Sequence, residues 1–141
     1  MDFGLWILDQ VGIQEAPLSD KITLERKVLS RNDLLAADLR KLFAAEKVAV
    51  MNMVSSPGSG KTSLLEKTLG SLSKTLSLGV IEGDIQTDND AERIAATGVP
   101  VYQIQTGGAC HLEAEMVGKA LSHFRLEELD LLIIENVGNL V

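Results

Sequence analysis

The sequence predicts an α/β domain, a three-layer sandwich on a mostly parallel sheet, incomplete at its C-terminus. Three observations carry that expectation. Short apolar runs alternate with segments whose apolar residues recur at helical spacing, the pattern of βαβ units that cross over into a parallel sheet. A glycine-rich stretch, Ser55-Ser56-Pro57-Gly58-Ser59-Gly60-Lys61-Thr62, follows directly on the first of those runs. Every unusual polar cluster, at 55–62, 83–90, 105–111 and 135–139, falls just past an apolar run. That is where ligands sit in open α/β sheets.

Taken in order, residues 1–20 are weakly patterned, with Pro17 and Ser19-Asp20 as breakers, and 1–23 reads as an arm. From Leu24 on, Val28, Leu29, Leu34, Leu35, Leu39, Leu42 and Phe43 recur at helical spacing. They predict a helix, or two short ones split at Ser30-Arg31-Asn32-Asp33, ending near Glu46, because Ser and Asn compete for backbone bonds inside a helix. Val48–Val54 is apolar almost throughout, as in a strand buried on both faces. A helix over 60–72 follows, with Leu64, Leu65 and Leu69 toward the core. Next come a strand over 76–82 and a helix over 88–96, capped by Asp88 or Asp90 and stopped at Gly98. A strand over 101–104, a helix over 111–124 and a strand over 131–135 complete the pattern. One domain spans 24–141, with no internal repeat. The chain stops at Val141, a few residues beyond a buried strand, so a piece of a longer protein is expected.

Composition narrows the function. At 45% hydrophobic and 23% charged residues, the chain has an ordinary globular make-up. A net charge of −7 argues against a nucleic-acid partner, which calls for a basic face. One cysteine excludes an intrachain disulfide and fits a reducing compartment. The N-terminus lacks a basic segment followed by an apolar core, and no apolar run nears the roughly 20 residues of a membrane span. A cytoplasmic protein without membrane insertion is expected.

A strand entering a Gly-rich loop that ends in Gly-Lys-Thr and opens a helix is a phosphate-binding P-loop. Its backbone N–H groups converge on anionic oxygens, and the helix aims the positive end of its dipole there. The expected nucleotide contacts are Pro57, Gly58, Ser59, Gly60, Lys61, Thr62 and Ser63, with Lys61 at the outer phosphates and the Thr62 hydroxyl on Mg²⁺. Ser55 stands where the first glycine of the motif usually sits, which leaves the first turn in question. The plain alternative is a flexible turn with a solvated lysine. Asp84, just past a strand, suits Mg²⁺ or a loop cap. Glu135-Asn136-Val137-Gly138 has the form carboxylate-x-x-Gly, in which the acid orders metal-bound water and the Gly138 N–H meets the terminal phosphate. Cys110-His111 supplies two ligands suited to Zn²⁺ or Ni²⁺, or else a buried thiol and a capping imidazole. His123 reads as a helix-end residue. Arg93 is the nearest arginine to the loop that could stabilise transition-state charge, or is simply a solvated helix charge.

Together SSPGSGKTS (55–63), GDIQTDND (83–90), TGGACHL (106–112) and ENVGNLV (135–141) resemble the HypB family of hydrogenase nickel-incorporation proteins, GTPases of the SIMIBI group of P-loop NTPases. The Ser55 departure is normal in that family. The resemblance covers about residues 24–141. It implies GTP hydrolysis with Mg²⁺, coupled to nickel insertion into the [NiFe]-hydrogenase large-subunit precursor. It also implies a GTP-dependent homodimer with a Ni²⁺ or Zn²⁺ site at its interface, and a HypA-type nickel metallochaperone as partner. Carried over by residue, Lys61 and Thr62 serve phosphate and Mg²⁺, Asp84 and Glu135 serve Mg²⁺ and the hydrolytic water, and Cys110 and His111 are the interface metal ligands. A further metal-binding Cys and the guanine-reading Asn-Lys-x-Asp are expected beyond Val141. Residues 1–23 hold neither the Cys nor the His of the nickel-rich segment that some members carry. The competing readings are a fragment that only binds nucleotide, the related urease accessory GTPase role, and a P-loop kinase.

Overall fold

The computed structural model describes residues 18–56, 58–83, 88–107 and 111–136. Strands β1 (Ala49–Met53), β2 (Leu78–Glu82), β3 (Val101–Gln103) and β4 (Leu131–Glu135) form one sheet in the order β1-β4-β2-β3. All three pairings are parallel. Helices α1 (Leu18–Glu46), α2 (Lys61–Leu72), α3 (Asp88–Ala95) and α4 (Ala114–Ala120) cover it.

Pleat alternation along β4 divides the interior in two. Leu132 and Ile134 pack with Phe43 of α1 and Val117 and Ala120 of α4. Ile133, one position on, packs with Leu65 and Leu69 of α2 and Ile94 of α3. The result is the expected three-layer sandwich. Leu132, Ile133, Val80 and Ile81 are at most 1% exposed, and each contributes about 1.5–3 kcal/mol by burial.

α1 departs most from expectation. It begins at Leu18 rather than Leu24 and runs unbroken through Ser30–Asp33. The two polar side chains that threatened it are used elsewhere. Ser30 Oγ donates to the Lys27 carbonyl one turn back (3.2 Å). Asn32 Oδ1 accepts the Ala114 N–H (2.8 Å) and so caps α4 from another helix. α1 stops at Glu46 through a Schellman turn, with the Val48 N–H on the Phe43 carbonyl (3.0 Å) and the Lys47 N–H on that of Ala44 (3.3 Å). Lys47 takes the left-handed conformation there (φ 60°), where glycine is usual.

Four other expectations need correction. β1 is an edge strand among the described residues, and Ala49, Val50, Met51 and Asn52 are exposed rather than buried on both faces. Leu64 is 60% exposed while Leu65 and Leu69 are buried, because three residues that close on a helix cannot all share one stripe. The helix expected over 111–124 shrinks to α4 and a 3₁₀ turn at Leu121–His123. Its first turn does not form because the Leu112 and Ala114 N–H groups bond to the side chains of Asn136 and Asn32. β2 starts at Leu78 because the Thr75 and Leu76 N–H groups still bond to the Leu72 carbonyl at the end of α2.

Candidate nucleotide site

Every strand delivers its carboxyl end to one rim. The parallel ladder continues there: Gly83 N–H to the Glu135 carbonyl (2.8 Å), Ile104 N–H to that of Glu82 (2.8 Å), Asn136 N–H to that of Met53 (2.9 Å). The loops that follow β1, β2 and β4 therefore start level with one another.

The loop after β1 is built as the motif requires. Gly58 (φ 74°) and Gly60 (φ 85°) are both left-handed, a backbone that residues with a Cβ resist. Gly60 is also the N-cap of α2, so the chain turns sharply and presents the first N–H groups of the helix to the rim. Ser55 does not weaken the first turn. Its hydroxyl oxygen accepts from the Ser59 hydroxyl (2.8 Å), and the Ser59 N–H reaches the Ser56 carbonyl (3.3 Å). A glycine at 55 would lack the first of these bonds. A cavity of about 440 Å³ opens beside the loop, lined by Asn52, Met53, Ser55, Ser59, Lys61 and Leu64 among others.

Lys61, Thr62 and Glu135 come together at this rim. The Lys61 ammonium donates to the Asn136 carbonyl (2.9 Å) and lies 3.7 Å from Glu135 Oε1. The Thr62 hydroxyl makes a longer contact to the same Oε1, 3.4 Å. The side chains of Lys61 and Glu135 are 7% and 1% exposed. A buried, charge-assisted cluster on a helix N-terminus is equipped to exchange its internal partners for phosphate oxygens and a hard cation. Ser63 faces elsewhere: its hydroxyl accepts from Arg93 (3.4 Å). Arg93 itself pairs with Glu66 at 2.6 Å and ties α3 to α2.

Glu82 belongs to this site and went unnoticed in the sequence. It is the register partner of Glu135 and equally buried at 1%. The signal was present, since two apolar runs end alike, in Ile81-Glu82 and Ile134-Glu135. Asn136 was missed as well. Beyond its carbonyl, its side-chain Oδ1 accepts the Leu112 N–H (2.9 Å) and its Nδ2 donates to Asn52 Oδ1 (3.4 Å).

Pro57, Asp84, Cys110 and Gly138 lie outside the described residues. His111 is exposed in a bend just before Leu112. Among the described residues no three His, Cys, Asp or Glu side chains gather as a metal site. His123 ends the 3₁₀ turn, as expected of a helix-end residue, and its ring stacks on Tyr102, with centroids 3.8 Å apart and planes 14° from parallel.

Comparison with known proteins agrees with this geometry. Residues 49–141 match the model of the CobW/HypB/UreG nucleotide-binding domain. The hydrogenase maturation factor HypB of Azotobacter vinelandii is 56% identical over 125 residues, 87% of this chain and 41% of that protein. The hydrogenase/urease maturation factor HypB of Helicobacter pylori (strain 26695) is 46% identical over 138 residues, 94% of this chain and 56% of its own length. Among solved structures, HypB from H. pylori in complex with nickel superposes with a TM-score of 0.70 at 47% identity, covering 77% of this chain and 52% of that one. HypB from Archaeoglobus fulgidus gives a TM-score of 0.72 at 36% identity, covering 79% and 54%. The chain thus spans about half the length of the relatives it matches. With its glycine loop, buried Lys61–Glu135 cluster and parallel sheet, the chain belongs to the CobW/HypB/UreG family of nucleotide-binding domains.

Proposed function

We propose that this chain carries the GTP-binding and GTP-hydrolysing core of a nickel metallochaperone that serves hydrogenase maturation. The observation that carries the proposal is the convergence of Lys61, Thr62 and Glu135 at the N-terminus of α2. The loop N–H groups from Gly58 to Thr62 hold the phosphates, and the Lys61 ammonium leaves the Asn136 carbonyl to neutralise the outer ones. Mg²⁺, when bound, supplies further charge neutralisation, and Thr62, Asp84 and Glu135 are the residues that would hold it or its water. Glu135 orients the attacking water for in-line displacement at the terminal phosphorus, giving GDP and inorganic phosphate. Pro57, Ser59, Gly138 and the main-chain N–H of Ser63, whose hydroxyl is turned to Arg93, complete the nucleotide contacts in this reading. Arg93 is engaged with Glu66, so turnover without a partner is slow.

The nickel reading rests on Cys110-His111 and on the relative solved in complex with nickel. Cys110 and His111 bind Ni²⁺ or Zn²⁺ as cargo, with ligands completed by a second copy in a GTP-dependent homodimer. A HypA-type metallochaperone delivers nickel, and the [NiFe]-hydrogenase large-subunit precursor receives it, in the cytoplasm. Among the described residues no helix is long and apolar enough to cross a membrane. The test is phosphate release from GTP by the chain and by its Lys61→Ala variant. Loss of release in the variant supports the assignment, and equal rates count against it.

A further inference from the structure

The contacts of Asn136 reach beyond the nucleotide loop. Its main-chain carbonyl accepts the Lys61 ammonium (2.9 Å), while its side-chain oxygen accepts the N–H of Leu112 (2.9 Å). Leu112 follows His111 directly in the chain. One residue therefore touches, through two different groups, the lysine of the phosphate loop and the backbone of the loop after β3. Its Nδ2 is steadied by Asn52 Oδ1 (3.4 Å) on the edge strand, and its N–H by the Met53 carbonyl (2.9 Å).

Leu112 is also the packing partner of the loop after β2. A methyl group added at Gly83 would lie 2.5 Å from the Leu112 side chain. The three rim loops thus meet at one junction, with Leu112 between Gly83 and Asn136. On the α1 side a cavity of about 300 Å³ is lined by Leu39, Phe43, Val50, Asn52, Leu112 and Asn136 among others. It leaves the junction room to rearrange.

We infer that the Asn136 side chain is a positioning residue that transmits the state of Lys61 to the His111–Leu112 backbone. This inference rests on the nucleotide reading of the site. In the nucleotide-free chain, Lys61 holds the Asn136 carbonyl and the Asn136 amide holds Leu112. When phosphate draws the ammonium away, the Asn136 carbonyl loses its charge-assisted bond to Lys61. The Leu112 hydrogen bond then moves with it, and so does the imidazole one residue upstream. Two discrete arrangements of one contact, both biased by the nucleotide, are the physical requirement for coupling two sites.

The test is an amide nitrogen–proton correlation spectrum of the metal-free 141-residue chain, titrated with a non-hydrolysable GTP analogue and Mg²⁺. The Gly60 amide reports nucleotide binding and the Leu112 amide reports the transmitted change. The expected result is that both shift in the wild type. In Asn136→Ala, Leu112 starts at a changed position and no longer responds, although Gly60 still does. Asn136→Asp keeps an acceptor for the Leu112 N–H and restores the response, which a merely structural side chain would not do. A Leu112 response that survives in Asn136→Ala overturns the inference. So does a wild type in which Gly60 shifts and Leu112 stays still, leaving the nucleotide reading intact. If neither amide shifts, the nucleotide reading fails and this inference fails with it.

Discussion

Glu82 and Glu135 are direct neighbours on adjacent parallel strands, each 1% exposed, and both turn toward the sheet face that α2 covers. Two carboxylates this close and this buried repel one another. Glu82→Gln keeps the shape and removes one charge. The expected outcome is a nucleotide-free chain stabilised by about 1 kcal/mol in urea unfolding. A loss of stability would mean that the Glu82 charge is itself required by the fold.

Gly83 has no room for a side chain. Gly83→Ala drives its new methyl into Leu112, 2.5 Å away, and overpacking of this kind costs about 1–3 kcal/mol. In the double variant with Leu112→Ala, the two costs should fall short of their sum, because the smaller residue makes the space. Additive costs would show that Gly83 and Leu112 do not press on each other.

Lys47 ends α1 in a conformation that suits glycine, at φ 60°. Lys47→Gly relieves that strain while raising the entropy of the unfolded chain. The balance is a gain of about 0.5–1 kcal/mol, a rise of a few degrees in Tm. An unchanged or lower Tm would place the helix stop in the surrounding contacts rather than at residue 47.

Glu115 on α4 is held below its ordinary value of 4.5, first by the hydrogen bond and charge of Lys119 and then by the Arg31 charge on α1. A carboxyl held low in the folded state stabilises fully above its unfolded value, and that contribution fades as pH falls through the folded one. Glu115→Gln should therefore flatten the stability-against-pH curve only below about pH 4.5 and leave its slope unchanged near neutrality. The effect is small because the pair is solvent-exposed. A difference in slope near pH 7 would contradict this assignment.

How much of this was readable in advance follows from which forces are local. The phosphate loop was legible because its glycines, lysine and threonine act through backbone geometry at fixed spacing, and Gly58 and Gly60 adopt the left-handed turns that spacing demands. β4 was legible to the residue, since Leu131–Ile134 is an unbroken apolar run that closes on Glu135. The exposure of β1 was not, because Val48–Val54 is equally apolar and only strand order puts β1 at an edge. For a related reason the sequence left open whether α1 breaks at Ser30–Asp33, where it runs on as one helix. Asn32 satisfies its side chain on α4, 82 positions away, and no local rule reports such a partner. Asn136 was hidden in the same way, since its bonds reach Lys61, Leu112 and Asn52 across three elements.

The central claim is that Lys61 and its neighbours bind the phosphates of a nucleotide, and thermal unfolding with and without GTP and Mg²⁺ tests it most directly. At about one hundred times the dissociation constant, binding to the folded state adds about 2.7 kcal/mol, so the Tm of the wild-type chain should rise by several degrees. Lys61→Ala, compared with its own nucleotide-free baseline, should show little or no rise. An equal rise in both proteins, or none in the wild type, would contradict the account.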